Sequence, residues 1–399
     1  MLRSLFSGIS GMRAHQTMLD VTGNNIANVN TTGFKSSQTQ FTDTLSQVIS
    51  AAGAPAAGRG GTNPAQVGLG VQVSAITTNF STGARQTTGR STDMMLNGDG
   101  FFVVQNGGQQ YYTRAGAFDF EANGNMVAAD GSYVMGWPAT NGKVNTNGVI
   151  QPLQLPTTTL SGARASTSIN FDGNLPEDAE VGTQLARDVE VYDALGNARV
   201  VTLTFTKSTA VGDANPSWTV SGVDPNSGAP VTGNMTFDAA SGALQTGGTM
   251  DLNGLAIDLS AVTGFAGLNS VAVANKDGQQ AGSLQSFSIS ADGTIVGAFS
   301  NGVKEEIGKI ALANFDNPAG LEKAGGSMFT ESVNSGGAQI GEAGQGGRGT
   351  LVGGALEMSN VDLAQEFTNL IVAQRGFQAN SRIITTSDEV LQELVNLKR

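Results

Sequence analysis

The chain contains no cysteine and a single histidine. The first absence removes disulfides, thiolate zinc ligands and thiol nucleophiles together. It suits either side of a membrane, because no thiol needs protection or oxidation. Charge is sparse as well: 14% of residues are charged, and the net charge is -12. No Lys/Arg run occurs, so the basic face that nucleic acid requires is missing and anionic membrane surfaces are disfavoured. No run of about 18 apolar residues exists to span a bilayer. The opening MLRSLFSGISGMRAHQTMLD lacks the apolar run of about 7–15 residues and the A-x-A site of a secretory signal. Work outside the cell would then require export without N-terminal cleavage. Aromatics reach only 6%, against 39% hydrophobic residues and 55 glycines. That balance favours several small cores and short strands joined by turns, and argues against wholesale disorder. The length of 399 residues suggests two or three domains.

Proline is missing from both ends, running only from Pro55 to Pro318, as long helices require. Near the start, Leu5, Met12, Leu19 and Ile26 recur every seven residues, with Leu2 and Ile9 on a neighbouring row. Near the end, Leu363, Leu370, Phe377, Ile384 and Leu391 repeat at the same spacing. A seven-residue apolar repeat is the pattern of helices that pack along a seam. The C-terminal helix is expected from Asn360 to about Asn396, roughly 55 Å long. Ser359 and Asp362 form a capping-box-like start, and Lys398 and Arg399 suit the negative end of its dipole. Between the ends, Asn-Gly and Asp-Gly pairs punctuate short apolar or alternating runs such as FFVVQ, VEVYD and RVVTLTFT. These pairs favour two-residue hairpin turns, so the interior reads as mainly antiparallel β. Gly/Ala-rich stretches at 49–70 and 334–354 resemble flexible linkers. The predicted fold class is α+β and multidomain. A terminal helical coiled-coil module, 1–70 plus 355–399, would enclose an inner β domain, 71–159 plus 283–354, and an outer β domain, 160–282.

No stretch offers convincing catalysis. His15 lies in a helical repeat, and a packing role outweighs a triad that would need two further placed partners. Carboxylates are scattered over the β region, and those at Asp99, Asp130, Asp172, Asp277 and Asp292 sit in Asp-Gly turns that need no chemistry to explain them. NGDGFF at 97–102 lacks the Lys-Ser/Thr and the helix start of a phosphate loop. SADGTIVGAFSNG at 290–302 lacks the closing Glu of a calcium loop. The reading is therefore no enzyme, no metal and no cofactor. The helices carry a different message. Gly8, Gly11 and Gly23 each cost the first helix about 1 kcal/mol against Ala, and two helices alone have too small a core. Leu5, Ile9, Met12, Leu19 and Ile26, with Leu363, Leu370, Phe377, Ile384 and Leu391, are thus expected to form a seam completed by copies of the same chain.

Three long segments carry a resemblance. LDVTGNNIANVNTTGFK, 19–35, and EMSNVDLAQEFTNLIVAQRGFQANSRIITTSDEVLQELVNL, 357–397, resemble the N- and C-terminal signatures of the bacterial flagellar axial family of rod, hook and hook-associated proteins. NGDGFFVVQNGGQQYYTRAGAFDFEANGNMVAADGSYVMGW, 97–137, is similar to the β segment of its rod and hook branch. VEVYDALGNARVVTLTF resembles the outer domain of the hook branch, which fits best. The resemblance implies an extracellular homopolymer, a flexible tube that joins rod to filament and passes torque as a universal joint. It implies export through the flagellar type III apparatus and partners in the hook cap, distal rod and hook–filament junction proteins. Nucleic acid and membrane insertion play no part. The alternatives are a distal rod or hook-associated subunit, or a secreted β-rich glycan-binding or glycan-active protein. Within the first signature, Asn24, Asn25, Ala27, Asn28, Thr32, Gly33 and Phe34 read as a corner. There the chain leaves the helical layer for the β domains, with Phe34 anchoring the exit.

Overall fold

Helices form at both ends because no proline interrupts them. The computed structural model describes residues 2–55, 58–140, 142–155, 161–213, 215–224 and 228–396. Helix α1 spans Leu2–Ala27 and α2 spans Leu363–Asn396. At 34 residues α2 is about 50 Å long. Its cap differs from the expected one. Asp362 is the N-cap, its Oδ1 accepting from the Ala364 and Gln365 N–H groups at 2.9 and 3.2 Å. The Ser359 hydroxyl accepts from Val361 N–H instead. Lys398 and Arg399 lie outside the described residues.

The chain divides into two compact units. The first comprises Met1–Leu155, Phe287–Val296 and Glu306–Arg399, so the helical ends belong to the same unit as the inner β layer. Phe101–Asn106 runs through the middle of its antiparallel sheet, between Gln109–Thr113 and Tyr133–Thr140. Side chains alternate across this strand. Phe102 and Val104 pack with Phe118, Ile310 and Leu312, while Phe101 and Val103 pack with Tyr112, Phe315 and Phe329 on the other face. The strand is therefore apolar throughout, because it is buried on both sides.

Both expected linkers contain paired strands. Around the first, β1 (Ser37–Asp43) pairs antiparallel with β4 (Val71–Thr78) and β2 (Ser46–Ser50) with β3 (Ala65–Gly68), a two-stranded ribbon. Residues 334–354 contribute Gln339–Gly341 and Thr350–Gly353 to the inner unit, with Ala343 and Leu351 in its core. In both segments ladder pairing overrides a glycine-rich composition.

The second unit comprises Pro156–Ser286 and Gly297–Glu305. Five antiparallel strands, in the order Gln184–Tyr192, Ala198–Lys207, Ser217–Val223, Pro230–Phe237 and Leu244–Thr246, make one sheet. Four more make another, in which Ser168–Asn174 and Ala256–Thr263 run parallel. Phe171 and Ile257 of the smaller sheet share one core with Leu203, Phe205 and Trp218 of the larger. The alternation in ARVVTLTFTK places Val201, Leu203 and Phe205 inward.

Candidate assembly interface

The two helices pack antiparallel, and small residues set the contact. A Cβ built on Gly8 would lie 3.4 Å from the Asn380 carbonyl oxygen and the Ile384 side chain, and one on Gly11 would meet the Asn380 amide at 2.7 Å. At Gly376 it would meet the His15 ring at 2.5 Å. Gly8, Gly11, Ala14, Thr22 and Asn25 are the buried positions of α1, and Glu366 and Ala373 those of α2. The glycines at 8 and 11 thus let two backbones approach, whereas a Cβ on Gly23 would meet nothing.

The expected seam rows flank this contact. Leu5, Ile9, Met12, Leu19 and Ile26 are half-buried, as are Leu370, Ile384 and Leu391. Leu363 and Phe377 are exposed, together with Phe6, Phe367, Ile371 and Val372. A large share of the apolar surface of both helices therefore faces solvent in the single chain. His15 packs between Gly376 and the edge of Phe41, its Nδ1 buried with no hydrogen-bond partner among the described residues.

The corner begins where α1 ends, at Ala27. Asn28 closes the helix, its backbone N–H donating to the carbonyls of Asn24 and Asn25 and its Nδ2 to that of Asn24 at 2.9 Å. Thr31 Oγ1 donates to Asn28 Oδ1 at 3.0 Å, and Thr32 beside it is half-buried. Gly33 takes φ 67°, and a Cβ there would collide with the Ala115 backbone. Phe34 lies under the Lys323 ammonium, 5.3 Å from ring centroid to Nζ. Asn25 is the hub. Its Nδ2 donates to Ser37 O at 2.8 Å and to Glu366 Oε1 at 3.0 Å, and its Oδ1 accepts from Ser37 N–H at 3.0 Å. One amide thereby ties α1, the start of β1 and α2 together.

Beneath the corner lies a charge cluster that sequence reasoning missed. The Lys35 and Glu357 side chains are fully buried, with Nζ 2.6 Å from Oε1. Lys35 also donates to Ser81 O at 2.7 Å, and Glu357 Oε1 accepts from Gly83 N–H at 2.8 Å. Arg114 Nη1 stands 3.6 Å from Glu357 Oε2 and donates to Gly98 O. Burial pushes the Lys35 amine below its ordinary value, and the nearby Glu357 only partly counters this. Backbone closes the clamp: Gly33 N–H donates to Glu357 O at 2.8 Å, and Asn360 Oδ1 accepts from Ser36 N–H. The available signal was a single charge in each of the short stretches TTGFK, YYTRAGAF and ALEMSN of a charge-poor chain.

Terminal helices paired on one β-rich unit, with a second β unit inserted in the middle of the chain, define an α+β protein of nested β domains. Four family profiles match: Flagella basal body rod protein at residues 5–35, Flagellar hook protein FlgE/F/G D1 domain at 95–176, Flagellar basal body protein FlaE D2 domain at 173–305, and Flagellar basal body rod FlgEFG protein C-terminal at 352–397. The chain is 40% identical to the flagellar hook protein FlgE of Borreliella burgdorferi, covering 100% of both, and 35% identical to that of Salmonella typhimurium strain LT2, covering 99% of this chain and 100% of that one. It is 36% identical to the flagellar basal-body rod protein FlgG of Bacillus subtilis, covering 100% of both. The solved Helicobacter pylori flagellar hook protein FlgE2 shares the fold at TM-score 0.53 and 16% identity, over 67% of this chain and 98% of that one. The chain belongs to the flagellar hook protein family. The Bacillus rod protein aligns over the full length, so an outer unit does not by itself separate hook from rod.

Proposed function

We infer that the chain is a structural subunit of the bacterial flagellar hook, a homopolymer that forms a flexible tube between rod and filament and transmits torque as a universal joint. Full-length similarity to hook proteins from several bacteria carries this reading. The bare apolar faces of α1 and α2 support it, because such faces need partners. In this reading Leu5, Ile9, Met12, Leu19 and Ile26 meet Leu363, Leu370, Phe377, Ile384 and Leu391 of neighbouring copies in an inner coiled-coil layer. The clamp from Asn24 to Phe34 fixes the angle at which each chain leaves that layer. The subunit is not an enzyme. It works outside the cell after type III export without a cleaved signal, and it meets the hook cap, distal rod and hook–filament junction proteins. No described helix is long and apolar enough to cross a membrane.

Electron microscopy of the concentrated protein tests this. Curved or supercoiled tubes are expected, and Leu370→Asp should abolish them while both β units stay folded. Normal tubes from that variant would sink the helical-layer reading. A second reading, a distal rod subunit, is favoured by the full-length match to the Bacillus rod protein. It requires straight, rigid tubes.

A further inference from the structure

Six described Asn-Gly pairs occur, at Asn97, Asn106, Asn123, Asn147, Asn253 and Asn301. In four of them the glycine N–H is engaged. Gly124 donates to Glu121 O at 2.8 Å, Gly302 to Phe299 O at 2.9 Å, Gly254 to Asp251 Oδ1 at 2.7 Å and Gly148 to Asn145 O at 3.4 Å. At the fifth, the Gly98 carbonyl accepts from Arg114, and the residue packs against the Gly349 backbone. Asn106 differs. It closes the hairpin between Phe101–Asn106 and Gln109–Thr113, paired with Gln109 across Gly107 and Gly108. Those glycines take φ 58° and 85°, the left-handed pair of a type I′ turn. Asn106, Gly107 and Gly108 are all exposed. Neither the Asn106 side-chain amide nor the Gly107 N–H has a partner among the described residues.

We propose that Asn106 is a site of spontaneous deamidation, the first of these six to convert in the folded protein. The Gly107 amide nitrogen loses its proton to base and attacks Asn106 Cγ. The tetrahedral adduct expels the side-chain nitrogen as ammonia and closes a five-membered succinimide. Water then opens the ring at either carbonyl, leaving aspartate or isoaspartate. One water is consumed, one ammonia leaves, and nothing is oxidised or reduced. Glycine presents no Cβ to block the attack, and an exposed loop tip can open far enough to allow it. Both products add a negative charge at the hairpin tip. Isoaspartate also lengthens the backbone there and breaks the Asn106–Gln109 pairing.

The test uses the full-length protein, incubated at mildly alkaline pH and sampled over days. Isoaspartate is labelled by an isoaspartyl methyltransferase with labelled methyl donor and located by peptide mapping. Conversion at Asn106 should exceed that at each of the other five pairs several-fold. The fastest label should vanish in Asn106→Gln, and the difference should shrink in urea, where every pair is equally free. Faster conversion at any of the other five, or equal rates in the folded protein, overturns the proposal.

Discussion

The outer unit and the terminal helices treat their apolar side chains in opposite ways. In the sandwich, Phe171, Phe205 and Trp218 are at most 1% exposed, whereas Phe6, Phe367 and Ile371 of the helices are each more than half exposed. The sandwich closes on itself because two sheets supply both walls of its core. The helices meet through glycines and an alanine, a close contact that buries little apolar area. Stability of the sandwich is therefore a property of one chain. Stability of the helices depends on concentration and on copies that cover the bare faces.

The largest effect should come from attacking those faces. Phe367 and Ile371 lie one helical turn apart on α2, both in solvent. Each is more than half exposed and neither belongs to a buried core, so changing both to Asp removes little that the single chain buries. Urea unfolding of the dilute protein should be unchanged within about 0.5 kcal/mol, as for surface substitutions generally. Tube formation, followed by sedimentation and electron microscopy, should be lost. If tubes persist, the difference between the two regions says nothing about assembly.

Next comes the clamp under the corner. Glu357→Ala would leave the Lys35 and Arg114 cations buried without their carboxylate. Breaking a buried pair from one side costs about 3–5 kcal/mol. The inner unit should lose that much stability and melt at a lower temperature in differential scanning calorimetry, with the transition of the outer unit unmoved. A joint shift of both transitions would mean that the two regions are not energetically separate.

The sequence revealed what depends on period and composition, and missed what depends on distant partners. Proline-free ends with seven-residue repeats showed two helices, and Asn-Gly and Asp-Gly punctuation showed antiparallel β. The exact helical contact was not legible. Gly8, Gly11 and Gly376 look like helix costs until a second backbone is seen against them. The pairing of β2 with β3 was hidden because the glycine and alanine content around it mimics a linker, and it rests on cross-strand neighbours rather than on propensity. Of the corner residues, Asn28 and Gly33 were readable as turn formers. Asn25 was not, because its three bonds reach Ser37 and Glu366, the latter 341 positions away. Lys35, Arg114 and Glu357 are one constellation only after folding.

The sandwich contains one conflict that can be relieved. Lys207 is 1% exposed, and its Nζ, 5.6 Å from the Trp218 ring centroid, has no hydrogen-bond partner among the described residues. Burial pushes its amine below the ordinary lysine value, against the pull of Glu177, Asp213 and Asp178. The unfolded chain then holds that proton more tightly than the folded one. The penalty is complete below the folded pKa and fades as pH rises from there to the usual lysine range. Lys207→Met should stabilise the outer unit by about 1–3 kcal/mol at neutral pH. The gain should shrink in alkaline buffer. A gain independent of pH would assign it to packing rather than charge.

The smallest effect tests how far α2 relies on local bonds. Asp362 Oδ1 accepts from the Ala364 and Gln365 N–H groups, and Asp362→Ala should cost about 1 kcal/mol. A helix held mainly by tertiary burial would absorb that loss, but α2 buries only Glu366 and Ala373. Its helical signal by circular dichroism should therefore fall in the dilute chain and recover once the protein is polymerised. Ser359→Ala should change the signal less, since that hydroxyl accepts only from Val361 N–H. Equal helicity in the dilute wild type and Asp362→Ala would mean that the close glycine contact alone holds α2, and that the helices are less dependent on other copies than their bare faces indicate.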